Sequence, residues 1–288
     1  MTAFKPAPAA RRLADGVLVI NLDHRPERLE HFANLAQSQP ALQGWERLAA
    51  VNGVDIPGYG KPPWFRHGKR DKSWAGRAGC VLSHRAAIVH ARSQGWQSVL
   101  ILEDDVDFAA DFSQLAAALD ERLHDLESQW QACYLGYTRT VEPSRKVAEL
   151  PSSHVLHEVF GCYTTHAYLL KNETFDWLLA QLPDADTIWS WLACHRAIDR
   201  WYSRNLTPRY AVMAVAPGIV GQYSDFSDIG QHDPGISREQ EFYSVTAGAR
   251  PPISNAVYHQ RRRLHALRCK WLGLTDLLRS RIKRWKGF

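Results

Sequence analysis

The sequence predicts an α/β fold with a central, mostly parallel sheet. Apolar runs of strand length recur at residues 17–22, 98–102, 132–136, 163–170 and 209–215. Between them lie segments whose apolar residues fall three or four apart, the period of a helix packed by one face. The run at 98–102 ends in three consecutive carboxylates, Glu103, Asp104 and Asp105. Ligands of open α/β sheets gather at the carboxyl ends of strands, so this stretch is the first candidate for a site.

Each element has its own warrant. Residues 17–22 are continuously apolar up to Asn21 and read as a buried first strand. Pro26 suits a first helical turn, and Leu29, Phe32, Leu35 and Ala36 continue at helical spacing. Arg25 and Arg28 sit at that turn, where exposed helix N–H groups favour anions. They either grip a diphosphate or stand as two solvated arginines. A second strand is expected over 45–51, ended by Asn52-Gly53. Residues 54–76, rich in Gly, Pro, aromatics and Lys/Arg, read as a long loop, either an acceptor or phosphate contact or a floppy lid. A helix is expected from Gly76 to Gly95, a suitable residue just past a helix end. It carries Ser83 and His84, and a lone helical histidine is more often structural than catalytic. A helix over 115–130, a polar excursion over 138–153, and a helix over 173–182 follow. Trp189, Trp191, Trp201 and Tyr202 surround His195 and Asp199 in sequence. Such aromatics stack on sugars but more often build cores.

Three adjacent carboxylates repel one another unless a cation or solvent offsets them. Mg²⁺ and Mn²⁺ prefer carboxylate oxygens, so a divalent metal beside a phosphate-bearing ligand competes with a solvated acidic turn. On an extended chain Glu103 and Asp105 would share one face and Asp104 the other.

The 288 residues, 45% apolar and 23% charged, suit a soluble globular protein with a real core. Five cysteines at 80, 133, 162, 194 and 269 show neither zinc spacing nor a disulfide framework. Residues 1–16 lack an apolar signal segment and no run reaches transmembrane length, so the expected compartment is the cytoplasm. The net charge of +5 is a property of the tail: residues 261–288 carry +9 and the rest −4. Within 261–286, Leu264, Leu267, Trp271, Leu274, Leu278, Ile282 and Trp285 recur at helical spacing among Arg and Lys. This is the pattern of an interfacial membrane helix, with a protein-docking helix or a nucleic-acid arm as alternatives. The acidic body holds no nucleic-acid module, which favours the anionic inner face of a membrane. The expected division is a catalytic domain over 1–255 and a basic amphipathic tail over 256–288.

Several blocks in order resemble glycosyltransferase family 25, the lipopolysaccharide and collagen galactosyltransferase family. They are residues 17–28 with Arg25 and Arg28, residues 46–53, the Gly79-Cys80…Ser83-His84 helix, residues 101–106 with Glu103-Asp104-Asp105, residues 167–170, and residues 217–222 with 227–229. The resemblance implies a GT-A-like nucleotide-sugar fold and inverting transfer of a hexose to a hydroxyl of a cell-surface glycan such as lipopolysaccharide. The simplest donor is UDP-galactose. It implies Mn²⁺ or Mg²⁺ on Asp105 with Glu103 in support, and Asp104 toward the ribose or a metal-bound water. Arg25, Arg28, Ser83, His84 and Gln222 would lie around the donor. A direct displacement needs a base for the acceptor hydroxyl. Asp199 is the first candidate, against Asp186, Asp225 and Asp228, with an ion pair to Arg196 or Arg200 as its structural alternative. Ser227 is a further candidate contact and His232 a third metal ligand. A non-catalytic glycan-binding relative is the competing function.

Overall fold

A computed structural model describes residues 12–65, 71–141, 143–223 and 253–286. In chain order its strands and helices are β1 (Gly16–Asn21), α1 (Pro26–Ala36), β2 (Glu46–Ala49), α2 (Asp71–Ser93), β3 (Ser98–Glu103) and β4 (Val106–Phe108). Then come α3 (Phe112–Asp125), β5 (Ala132–Gly136), β6 (Arg139–Thr140), β7 (Arg145–Glu149), β8 (Val155–Val159), β9 (Cys162–Tyr163) and β10 (Ala167–Lys171). Last are α4 (Phe175–Gln181), α5 (Ile188–His195), α6 (Ile198–Asn205), β11 (Val212–Ala216), β12 (Val220–Gln222) and α7 (Asn255–Lys286).

Eight strands form one sheet in the order β2-β1-β3-β10-β5-β11-β8-β7. β1 runs parallel to β2 and β3, and β5 parallel to β11, while β10 and β8 are antiparallel to both of their neighbours. Six strands therefore point one way and two are reversed. The expected α/β fold with its mostly parallel sheet and basic amphipathic final helix is the one observed.

The continuous apolar runs are explained by burial on both faces. Leu18, Ile20, Val99 and Ile101 join the core on one face, with α2, α4, α5 and α6. Val17, Val19, Leu100 and Leu102 join the other, with Phe32 of α1 and Phe112, Leu115 and Leu119 of α3. A strand alternates its side chains between faces, so only a sheet covered on both sides makes every position apolar. The aromatic cluster is core, since Trp189, Trp201 and Tyr202 are buried and Trp177 stacks on Trp201.

Three expectations shift. The helix expected from Gly76 begins at Asp71, which shortens the preceding loop. The expected strand over 163–170 breaks because Thr164 adopts φ +68°, a left-handed conformation that ends extended pairing; the pieces are β9 and β10. The polar excursion holds β6 and β7, with β8 following, pieces too short and too polar to stand out in the sequence. α7 lies against α6 through Asp276 and α5 through Lys283, and its Arg262 reaches Glu158 of β8 and the Thr207 and Tyr210 carbonyls after α6.

Candidate active site

β1 and β3 are parallel neighbours with Ile20 opposite Glu103, so their carboxyl ends open side by side. Asn21, the last residue of β1, donates through Nδ2 to Asp104 Oδ2 at 2.7 Å and to the Arg25 carbonyl at 2.9 Å. Its Oδ1 accepts from Arg47 Nε of β2 at 2.9 Å, and Arg47 also pairs with Asp23. Arg28 projects from α1, whose start is set by Pro26 in its first turn. Its Nη1 donates to Asp104 Oδ1 at 3.1 Å and lies 3.5 Å from Asp105 Oδ2. Burial opposes the charge on Arg28, but the carboxylates of Asp105 and Asp104 outweigh it and raise its pKa.

The face alternation expected for the three acids does not occur. β3 ends at Glu103, and Asp104 and Asp105 form a turn into β4. The turn swings both aspartates onto Arg28 and leaves Glu103 alone on the other side. β4 pairs with β12, Val106 opposite Gln222, which delivers Gln222 Nε2 to Asp105 Oδ1 at 3.1 Å. Residues 117 positions apart thus meet through one short ribbon.

Glu103 points at α2 and at Thr165, just before β10. Its Oε1 lies 3.3 Å from His84 Nε2 and accepts from Thr165 Oγ1 at 3.2 Å. His84 is fully buried, with Nδ1 2.9 Å from the Tyr168 hydroxyl. Burial would raise the Glu103 pKa, but the hydrogen bond and charge of His84, with His166 and Thr165, bring it below the usual carboxylate range. Asp105 moves the other way, to about 7, through burial first and then repulsion from Glu103, with Arg28 opposing. Burial also raises Asp104 despite Arg28. Asp104 and Asp105 share the one Arg28 guanidinium while Glu103 turns to His84 and Thr165, which leaves negative charge in the cleft unmatched, and these hard oxygen donors suit Mg²⁺ or Mn²⁺. Cys80, His84 and Glu103 also bring ligand atoms within 4.8 Å of one another.

The acids line a cleft of about 370 Å³ whose walls include Ile20, Val51, Gly53, Gly79, Cys80 and Ser83. α2 reaches it by backbone contact. A Cβ on Gly79 would sit 2.3 Å from the Val51 carbonyl oxygen, and one on Gly53 would sit 1.7 Å from that of Ala75. Two glycines thus let the helix lie directly on the segment after β2. Ser83 locks that contact: its Oγ donates to the Gly79 carbonyl at 2.7 Å and accepts from the Val51 N–H at 2.8 Å. The structure gives Ser83 a clasp within the protein.

The other candidates are placed as follows. Arg25, at the start of α1, has its Nε 3.2 Å from Glu27. Asp199 lies outside the cleft lining. Its oxygens accept from the Thr164 and Arg200 N–H groups at 3.2 and 2.7 Å, and the neighbouring Thr165 contacts Glu103. Its charge reaches the cleft wall, because the Cys80 thiol is raised by burial and then by Glu103 and Asp199. Asp186 is exposed. Asp225, Ser227, Asp228 and His232 lie outside the described residues. Asn21, Arg47, Thr165 and Tyr168 were not singled out from the sequence. Only Asn21 carried a signal there, as an amide closing an apolar strand.

The cleft at the strand ends of this α/β sheet thus brings together a buried Asp104–Arg28 pair and the half-buried Glu103 and Asp105. The family description "Glycosyltransferase family 25 (LPS biosynthesis protein)" matches residues 14–186, more than half of the chain. This chain belongs to glycosyltransferase family 25. It is 31% identical over 180 residues to a glycosyltransferase 25 family member of Drosophila melanogaster, covering 59% of this chain and 28% of that protein. It is 32% identical over 183 residues to the human inactive glycosyltransferase 25 family member 3, covering 59% and 29%. With human procollagen galactosyltransferase 2 it shares 27% over 172 residues, covering 55% and 26%. The chain therefore spans less than a third of the length of these relatives. The solved structure of A197 from STIV covers 80% of this chain and 98% of its own at 13% identity, with a TM-score of 0.39, too slight a likeness to argue from. The family match contains the three acids, Arg28 and His84; Asp199 and Gln222 lie beyond it.

Proposed function

We propose that this protein is an inverting hexosyltransferase that moves a sugar, most simply galactose, from a UDP-sugar to a hydroxyl of a cell-surface glycan such as lipopolysaccharide. The observation that carries the reading is the convergence of Glu103, Asp104 and Asp105 with Arg28 in one cleft at the ends of β1 and β3. Family membership supports transfer, and the galactosyltransferase names among the relatives support galactose. In transfer the acceptor oxygen bonds to the anomeric carbon, the bond from that carbon to the diphosphate breaks, and UDP leaves with the electron pair. A Mn²⁺ or Mg²⁺ ion bound there supplies positive charge against the diphosphate. Asp105 and Glu103 would hold it, with Asp104 and Gln222 fixing the turn. Arg28 orients both aspartates and adds positive charge, and Arg25 and the start of α1 face the phosphates. Ser83 and His84 shape the wall, His84 by orienting Glu103. Asp199, held behind the cleft beside Thr164 and Thr165, is proposed as the base that receives the acceptor proton.

The test is UDP release from a panel of UDP-sugars with and without Mn²⁺, using soluble acceptors and Asp105→Asn as control. Metal-dependent turnover abolished in the variant supports the reading, and normal turnover of Asp105→Asn overturns the site. A second reading, a non-catalytic glycan-binding relative, is favoured by the 32% identity to a relative named inactive. No UDP-sugar hydrolysis with Mn²⁺ present, together with retained glycan binding, would establish it instead.

A further inference from the structure

α7 is mounted with its polar face inward. Tyr258 is fully buried and packs edge-on against Phe160. Arg262 donates to Glu158 at 3.0 Å and to the Thr207 and Tyr210 carbonyls. Asp276 is buried against Arg204, and Lys283 donates to the Ala193 carbonyl at 2.9 Å and lies over the Trp74 ring. At about 100° per residue these positions fall on one side of the helix. The opposite side carries Leu264, Leu267, Trp271, Leu274, Leu278 and Ile282, each more than half exposed and Trp271 67% exposed. A protein that spends buried contacts on holding the polar side of a helix leaves the apolar side free for something else.

The cations are ordered too. By the same rotation Arg261, Arg268, Arg279 and Lys286 flank one edge of the apolar stripe, and Arg263, Lys270, Arg281 and Arg284 the other. The sole acid of the helix, Asp276, faces the body, where it also meets Arg279 at 3.3 Å. On the second edge, Arg281 and Arg284 share with Arg85 and His195 a cavity of about 630 Å³, whose lining also includes Asp184. The Arg85 Nε there is buried without a hydrogen-bond partner among the described residues.

We infer that the outer face of α7 seats on an anionic lipid surface, with its leucines and Trp271 in the acyl boundary and the two cationic rows on headgroup phosphates. The stripe from Leu264 to Trp285 is about 32 Å long at 1.5 Å per residue, and no described helix is long and apolar enough to cross a membrane. This helix lies on a bilayer. A second copy would set cationic rows against cationic rows, which repel. A nucleic-acid arm needs cations over its binding face, whereas here the centre of the face is apolar. The inference stands independently of the transfer reading, because no residue of the cleft takes part.

The experiment is co-sedimentation of the full chain with vesicles of phosphatidylcholine alone and of phosphatidylcholine with phosphatidylglycerol, at low and high salt. Binding to the anionic vesicles only, weakened by salt, and reduced at least 10-fold in Trp271→Glu/Leu278→Glu, is the expected result. Both substituted side chains are exposed, and circular dichroism of the variant checks that its fold is unchanged. If the variant unfolds, Arg263→Gln/Lys270→Gln, which leaves the stripe intact, should lower anionic binding several-fold. No vesicle binding by the full chain, or equal binding by the folded variants, overturns the inference. So does a dimer in lipid-free sedimentation equilibrium that Trp271→Glu/Leu278→Glu dissociates, or tighter binding to duplex DNA than to anionic vesicles.

Discussion

The acidic cleft and the outer face of α7 break the usual partition of residues in opposite senses. In the cleft, charge is buried: Asp104 and Arg28 are 7% exposed each, and the Asp105 pKa is pushed up to about 7 by burial and by Glu103. On α7 apolar side chains are exposed while the charged Asp276 and half-buried Arg262 hold the helix down. Buried unmatched charge raises the free energy of the folded chain, and so does a wide exposed apolar stripe. In the proposed readings each departure is relieved by a component from outside, a cation with an anionic ligand in one case and a lipid surface in the other. The two regions also differ in how they are built. The cleft is assembled from distant strand ends and turns, whereas the stripe belongs to a single continuous helix.

The largest expected effect tests the cleft. Asp105→Asn should lower metal-dependent transfer by about 100-fold or more, on the scale of losing one charge-stabilising group, with an unchanged circular dichroism spectrum. A drop of less than threefold would remove the cleft from the comparison. Next, Gly79→Ala forces α2 off the Val51 carbonyl and should cost about 1–3 kcal/mol in urea unfolding, the range for overpacking. It should also weaken transfer by tilting His84 away from Glu103. A stability change below about 0.5 kcal/mol would show that the helix can move without consequence.

The polar mounting of α7 predicts acid sensitivity. Burial lowers the His195 pKa from 6.5 to about 4, with Arg204 adding to the effect and Asp276 opposing it. Between those values the unfolded chain binds more protons than the folded one, so stability falls as pH falls from about 6.5 to 4. Up to about 3 kcal/mol is at stake on this histidine, and His195→Gln should flatten the slope of melting temperature against pH in that window. An unchanged slope would mean that other groups carry it. Asp276→Asn should cost about 1–3 kcal/mol, because it leaves Arg204 facing an uncharged partner at a buried site. Limited proteolysis would then cut within α7. The smallest effect completes the contrast: Leu274→Ser on the outer face should leave stability within about 0.5 kcal/mol. A large loss there would mean that the stripe is already covered by protein.

Much of this was legible in the sequence wherever a pattern is local. Continuous apolar runs required strands buried on both faces, and helical spacing marked α1, α3 and α4. Glu103-Asp104-Asp105 at the end of the 98–102 run placed the cleft, and the 264–285 repeat placed the apolar stripe. Composition located the positive charge in the tail. What depends on a turn or on distant pairing was not legible. No local signal told that Asp104 and Asp105 leave the strand and share Arg28. The alignment of β12 with β4 that brings Gln222 to Asp105 was equally hidden, as was the clasp that Ser83 forms between α2 and the Val51 N–H. Nor does helical spacing say which side of α7 meets the body, since an amphipathic repeat ordinarily buries its apolar face. That choice was made by Glu158, Arg204 and the Ala193, Thr207 and Tyr210 carbonyls. They come from separate elements, and only folding collects them opposite Arg262, Asp276 and Lys283.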